Sequence, residues 1–177
     1  MMSRQSMLSA VLVLCALDAA DGLVAGASIR MAQPWPGHAE PSALLTAKLE
    51  GGQVVGRCGL EVRVLTEAGL TATDWPYNEN AGATPQPRAL LRELVVDAPY
   101  RRQGLGRQLC IECENIVRSW GQDKLMLFVD ERNENAIALY EKLGYELAAP
   151  PVKRAQNPLV EFFRQATADP LAMRKRL

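Results

Sequence analysis

The chain is poor in histidine, a residue on which many enzyme active sites depend. His38 is the only histidine among 177 residues, which excludes triads and general bases built on histidine and zinc sites built on histidine clusters. The charges of the 20 basic and 20 acidic side chains cancel, so no net positive potential favours binding to nucleic acid or to an anionic membrane. No internal repeat is visible. Any phosphate binding must therefore come from local geometry, within a chain whose length and 48% hydrophobic content suit one globular domain.

The cysteines are few and include one C-x-x-C spacing. They are Cys15, Cys58, Cys110 and Cys113. A C-x-x-C pair could indicate redox or metal chemistry. Both of its members, however, fall in a predicted helix, where residues three apart share a face, and no second pair or histidine cluster completes a metal site. We therefore interpret Cys110 and Cys113 as small apolar helix residues and predict no metal.

A basic, glycine-rich segment over 101–107 is the most informative stretch of the chain. It follows a predicted strand over 90–96 and precedes a predicted helix over 106–120. Glycines allow successive N–H groups to point at one anion, and a helix N-terminus adds donors and a positive dipole end. This order predicts a pyrophosphate site formed by Arg101, Arg102, Gln103, Gly104, Leu105, Gly106 and Arg107.

Two common pyrophosphate motifs do not fit this segment. A dinucleotide fingerprint needs a third glycine where Leu109 stands. A Walker A loop needs G-x-x-x-x-G-K-[ST], and no such string occurs. The pattern [RQ]-x-x-G-x-[GA] after an apolar strand instead resembles the coenzyme A loop of the GNAT superfamily of N-acetyltransferases.

A second segment strengthens this resemblance. Residues 129–145 match the family pattern V-x-x-x-N-x-x-A-x-x-L-Y-x-K-x-G-[FY] position by position, and residues 172–177 resemble its last strand. The resemblance covers about residues 43–177. The most similar groups are the ribosomal-protein N-terminal acetyltransferases and the plastid GNAT enzymes.

The predicted elements agree with that family's α/β fold, a central mixed sheet with splayed strands and flanking helices. Residues 66–88 are predicted to be loop. The chain departs from the family pattern at its N-terminal side, because few residues remain before the first hairpin for the helices that usually line the substrate site. Strands are predicted over 42–50, 54–65, 90–96, 125–129, 145–149 and 172–177, and helices over 106–120, 134–143 and 157–168.

The first thirty residues differ in character from the rest. Arg4 precedes an apolar run over 7–17, and small residues follow, which is the pattern of a targeting segment. The run is shorter than the roughly 20 residues of a membrane-spanning helix. We predict a targeting segment over 1–30, leading to a plastid or alternatively to the endomembrane system or cytoplasm, and a single GNAT domain over 31–177. The competing interpretation is a buried N-terminal helix.

The resemblance assigns the coenzyme contacts. It implies that acetyl-CoA is the co-substrate, that the loop over 101–107 binds its pyrophosphate, and that the backbone of Leu94, Val95 and Val96 binds its pantetheine arm. Asn133 matches the asparagine that contacts the arm, although asparagine is also a favoured helix N-cap.

The resemblance also implies two catalytic residues. Tyr140 matches the tyrosine that protonates the departing sulfur, with a buried core tyrosine as the alternative. Glu93 stands where many members have a carboxylate that faces the amine, with an exposed strand-end charge paired with Arg92 as the alternative. Phe128 occupies the position of a glutamate base in the ribosomal-protein enzymes, and phenylalanine cannot accept a proton.

We therefore predict an N-acetyltransferase that acts on a primary amine, a protein Lys side chain or N-terminus. A small-molecule amine acetyltransferase and a non-catalytic coenzyme-A-binding module remain open. No nucleic acid partner and no stable membrane insertion are expected, and the protein is predicted to be a monomer or homodimer.

Overall fold

Within the residues that the structure describes, the fold is an open mixed sheet of seven strands with two α-helices. A computed structural model describes residues 27–32, 41–65, 86–148 and 170–177. The strand order is β1-β2-β3-β4-β5-β7-β6. The strands are β1 Ser28–Ala32, β2 Ser42–Lys48, β3 Val54–Leu65, β4 Gln86–Val96, β5 Lys124–Asp130, β6 Glu146–Leu147 and β7 Pro170–Arg176, and the helices are α1 Leu105–Ser119 and α2 Glu134–Lys142.

Within the described residues the predicted elements are confirmed, with three differences. The strand predicted over 145–149 is limited to Glu146–Leu147 among the described residues. The first strand, β1, starts inside the segment interpreted as a targeting signal, and it pairs with β2 along its whole length. Strand β4 begins at Gln86, so residues 86–88 are strand and their assignment to a loop is wrong. Pro87 obscured this start, because proline breaks most strands but is tolerated near a strand end. Arg88 secures the extension by donating from Nε to the Leu65 carbonyl, 3.2 Å away.

The chain divides into two compact units, and the first consists of residues up to Glu61 together with Arg92–Cys113. Its antiparallel strands bury every second residue of β2, as in Ala43, Leu45 and Ala47. Gly56 in β3 lies where a Cβ would come within 3.3 Å of both the Leu109 side chain and the Val95 carbonyl. Glycine here lets the first half of α1 and the end of β4 lie close to β3.

The second unit consists of Val62–Leu91 and Glu114–Leu177. Strand β5 is its centre, because all seven of its residues pair with β7 on one side and its first half pairs with β4 on the other. Leu125, Met126 and Leu127 are buried. The continuous apolar run in the sequence therefore identified a strand covered on both faces.

The pairing between β4 and β5 is short. It is parallel and joins 89–91 to 125–127, and beyond these residues the described parts of the two strands do not pair. Both strands continue, β4 to Val96 and β5 to Asp130. The end of β4 therefore carries an edge that the β5 ladder does not use.

Three further predictions fall wholly or mostly outside the described residues. These are the targeting segment, the loop beyond Leu65 and the helix over 157–168. Within the described residues, neither helix has the length and apolarity that a bilayer span requires.

Candidate functional site

The end of β4 has an irregular backbone at Glu93. This residue has a φ of 54°, in the left-handed region that L side chains rarely adopt. Burial changes here, since residues 88–91 are buried whereas Glu93 and Val95 are exposed. A left-handed residue within a strand breaks its regular pleat and redirects the side chains beyond it. Beyond this change in the backbone, Val95 is exposed, whereas Leu94 and Val96 are half-buried.

A short turn joins β4 to the glycine-rich loop. It is a 3-10 helix over Ala98–Tyr100, and the Asp97 N–H anchors it by donating to the Val55 carbonyl at 2.9 Å. Arg101 donates from Nε to the Val96 carbonyl at 2.8 Å. Gln103 donates from Nε2 to the Pro99 carbonyl at 2.9 Å. These two side chains therefore shape the loop, a role that the sequence did not predict.

The loop has the backbone geometry of an anion site. Arg102 has a φ of 62° and Gly104 a φ of 81°, so two residues of the loop reverse the backbone handedness just before α1. Such reversals turn successive N–H groups toward one concavity. The first bond of the helix runs from the Gln108 N–H to the Gly104 carbonyl at 3.0 Å, so the N–H groups of Leu105, Gly106 and Arg107 lie at the helix opening.

Charge supplements this geometry. Arg102 and Arg107 are exposed, and the first turn of α1 contains no acidic residue. An anion at this helix N-terminus would meet backbone donors, a positive dipole end and two guanidinium groups. The loop therefore offers backbone donors and positive charge to an anion, and its binding of a pyrophosphate stays a prediction.

Comparison with known proteins agrees with this geometry. The model of the acetyltransferase (GNAT) family matches residues 24–145. The chain belongs to the GNAT family. Acetyl-CoA is the co-substrate of GNAT acetyltransferases, and within the described residues no cluster of three metal-ligating side chains occurs.

Similar curated proteins include two kinds of GNAT enzyme. Mycothiol acetyltransferase of Propionibacterium freudenreichii subsp. shermanii is 27% identical over 123 residues, which are 70% of this chain and 33% of that protein. The ribosomal protein bS18 alanine N-acetyltransferase of Escherichia coli K12 is 38% identical over 73 residues, which are 41% of this chain and 48% of that protein. The chain thus spans at most about half of these relatives.

Solved structures support the fold. A GNAT acetyltransferase from Streptococcus pneumoniae has a TM-score of 0.50 at 19% identity, with 78% of this chain and 69% of that chain covered. A Bacillus anthracis protein assigned as a streptothricin acetyltransferase, solved with acetyl coenzyme A, has a TM-score of 0.50 at 20% identity, with 77% and 62% covered. At these identities the likeness establishes the GNAT fold.

Tyr140 and Asn133 belong to the second compact unit, whereas the loop and the end of β4 belong to the first. Tyr140 is the buried residue of α2, and its ring meets Tyr145 edge-on, with centroids 5.7 Å apart. This contact fixes the ring. The buried placement suits both a core tyrosine and a positioned proton donor.

Asn133 is the N-cap of α2, so the capping interpretation is confirmed. Its Oδ1 accepts from the Ala136 N–H at 3.2 Å. Capping uses the oxygen, and the amide NH₂ retains two donor hydrogens. A cofactor contact through nitrogen is therefore compatible with the cap.

Two substitutions separate the roles of Asn133. Asn133→Ala should lower the free energy of unfolding by about 1 kcal/mol, the usual contribution of an N-cap. Asn133→Asp retains a capping oxygen but has no amide donor, so its stability should stay near that of the native protein. A raised KM for acetyl-CoA in Asn133→Asp would establish the cofactor contact, and an unchanged KM would limit Asn133 to capping. Thermal unfolding and steady-state kinetics measure both.

The carboxylates near the strand ends differ in their surroundings. Glu61 is buried and accepts from Arg92 Nη1 at 2.9 Å, so Arg92 pairs with Glu61. Glu93 remains exposed. In the second unit, a side-chain hydrogen bond from Arg132, then a bond from its backbone N–H, hold the pKa of Asp130 below its ordinary value. Asp130 is thus a weaker proton acceptor than an ordinary aspartate.

Phe128 on β5 is 40% exposed, an unusual position for a large apolar ring. It follows directly after Leu127, where the pairing of β5 with β4 ends. The sequence indicated that no base stands there. Leu127 and Val129 on either side are buried, and the continuous apolar sequence of β5 carries no signal of this exposure.

Proposed function

We propose that this chain moves the acetyl group of acetyl-CoA to a primary amine of a protein, a Lys side chain or an N-terminus. The observation that supports the proposal is that three features of the first unit follow one another along the chain. The free edge at the end of β4 leads through the 3-10 turn to the basic loop and the opening of α1. An extended arm that ends in a pyrophosphate has the chemistry to match these features.

The residues of these features would hold the co-substrate in two ways. The backbone of Leu94, Val95 and Val96 would exchange hydrogen bonds with the amides of the arm, as a neighbouring strand does. The loop N–H groups, Arg102 and Arg107 would bind the pyrophosphate. Acetyl-CoA supplies the activated acyl group as a thioester.

The family motif assigns the proton transfers. The amine nitrogen attacks the thioester carbonyl, and the carbon–sulfur bond breaks. Glu93 would accept the proton that the amine loses, directly or through a water molecule. Tyr140 would donate its hydroxyl proton to the sulfur, since a phenol O–H is a hydrogen-bond and proton donor.

A panel of acceptors tests this proposal. Acetyl-CoA turnover should be highest with a peptide that presents either a free N-terminal amine or, on a chain with a blocked N-terminus, a Lys side chain. The matched control is the same peptide with both amines blocked, which should give only background hydrolysis. Binding of acetyl-CoA without turnover on any amine would contradict the enzyme and favour a binding module.

Small-molecule amines are the second candidate. The similarity to mycothiol acetyltransferases, which includes 48% identity over 50 residues with the Thermobispora bispora enzyme, favours this candidate. That match covers 28% of this chain and 17% of that protein. Higher kcat/KM for small amines than for every peptide in the panel would select it.

Glu93→Gln tests the base. The substitution keeps the size of the side chain and removes its basicity, so kcat should fall by about 100-fold or more. Affinity for coenzyme A should change little, because the proposed contacts use the loop and backbone. Glu93→Asp retains a carboxylate and should recover part of the rate. An unchanged kcat in Glu93→Gln, with chemistry limiting, would remove Glu93 from the mechanism.

A plastid location through the N-terminal segment is also a proposal, supported by the pattern of residues 1–30. Deletion of residues 2–21 leaves every described strand, since β1 starts at Ser28. The truncated protein should therefore melt within about 2 °C of the full chain. Several buried apolar side chains at roughly 1.5–3 kcal/mol each would be lost if those residues formed a core helix. A large fall in Tm would therefore contradict the targeting segment and favour a buried N-terminal helix.

A further inference from the structure

Two buried thiols on different elements of the first unit lie close together. The sulfur of Cys58 in β3 is 3.3 Å from the sulfur of Cys113 in α1, and both residues are fully buried. All three cysteines within the described residues are thiols. The pair is therefore formed between β3 and α1, and it is not the C-x-x-C pair of Cys110 and Cys113.

We propose that Cys58 and Cys113 form a disulfide when the protein is oxidised. A disulfide joins its sulfurs at about 2.05 Å, so the two must approach by roughly 1.2 Å. Side-chain rotation and a small shift of α1 on β3 supply an approach of this size. Cys110 is the competing partner, but it stands on the same helix three residues from Cys113.

Hydrogen peroxide is a sufficient oxidant. One thiolate attacks a peroxide oxygen, which gives a sulfenic acid and a hydroxide, and the hydroxide takes up the proton that the thiol released and becomes water. The second thiolate attacks that sulfur, the sulfur–sulfur bond forms, and the hydroxyl leaves as a second water. Two thiols lose two electrons and two protons in total, and one peroxide becomes two waters.

Burial makes the reaction depend on local opening. Neither sulfur contacts solvent, so the oxidant reaches them when β3 and α1 separate transiently. Oxidation should be slower than that of an exposed thiol, and it should speed up in urea below the unfolding midpoint. Once formed, the bond closes a chain segment between residues 55 apart, which restricts the unfolded state.

The experiment uses the full chain treated with hydrogen peroxide and then digested without reduction. A peptide that links Cys58 to Cys113 should appear in mass spectrometry, 2 Da lighter than the sum of its two parts. The oxidised protein should melt on the order of 5–10 °C higher than the reduced protein. Reduction should reverse both changes.

Substitutions give the matched comparison. Cys110→Ala removes a buried cysteine of the same helix and should retain the linked peptide and the shift in Tm. Cys58→Ala and Cys113→Ala should each lose both. If a variant is unstable, the linked peptide from the native chain still tests whether Cys58 and Cys113 form the disulfide. Linkage of Cys113 to Cys110 or Cys15, or peroxide oxidation of Cys58 and Cys113 without a linked peptide, would overturn the proposal.

Discussion

Gly104→Val should yield a folded protein with coenzyme A affinity reduced by about 100-fold or more. Gly104 has a φ of 81°, and a β-branched residue is strongly disfavoured in that region. Valine would therefore change the loop backbone as well as block the approach of phosphate to its N–H groups. Loss of two hydrogen bonds to a charged group, at roughly 1.5–3 kcal/mol each, corresponds to this change in affinity.

Gly52→Val is the matched control for this experiment. Gly52 has nearly the same φ, 82°, and it lies in the exposed turn between β2 and β3 with open space around a Cβ. The two variants should show comparable changes in Tm, whereas only Gly104→Val should lose affinity in calorimetry. Unchanged coenzyme A affinity in a folded Gly104→Val protein would refute the pyrophosphate assignment.

Tyr140→Phe should lower kcat by about 10²–10⁴-fold, the usual contribution of a positioned proton donor. The ring and its contact with Tyr145 remain, so packing should change little. Affinity for acetyl-CoA should stay the same, because the proposed cofactor contacts lie elsewhere. The measurements are single-turnover kinetics, to isolate chemistry, and thermal unfolding.

Tyr145→Phe serves as the control for Tyr140. Tyr145 is also buried and shares the edge-on ring contact, and the family pattern accepts Phe or Tyr at its position. This variant should keep kcat. A fall in Tm with unchanged kcat in Tyr140→Phe would mark a structural hydroxyl and leave protonation of the sulfur to solvent.

The sequence was most informative where local chemistry alone decides the structure. The pattern of apolar residues, periodic in the helices and continuous in β5, predicted β3, β5, α1 and α2 to within one residue at each end. Gly144 correctly marked the end of α2, since it takes a φ of 87° that favours glycine. The turn of the basic loop was predictable because glycine favours the left-handed backbone that Gly104 adopts.

Other features depend on contacts between distant segments. The left-handed backbone of Glu93 has no signal in the sequence, because glutamate carries no preference for that region and the surrounding strand imposes it. The β1 strand was hidden because a short stretch of five residues has too little pattern, and it is defined by its pairing with β2. The side-chain bonds of Arg101 and Gln103 likewise depend on where β4 ends.

The sequence by itself determined the family, the order of most strands and helices, and the position of the basic, glycine-rich loop. These follow from periodicity and from residues that act over a few neighbours. Only the tertiary structure decided where β4 leaves the β5 ladder, which side chains shape the loop, and that Cys58 rather than Cys110 faces Cys113. These three features depend on strand register and on packing between segments that are many residues apart in the sequence. Local composition predicts neither the register nor the packing.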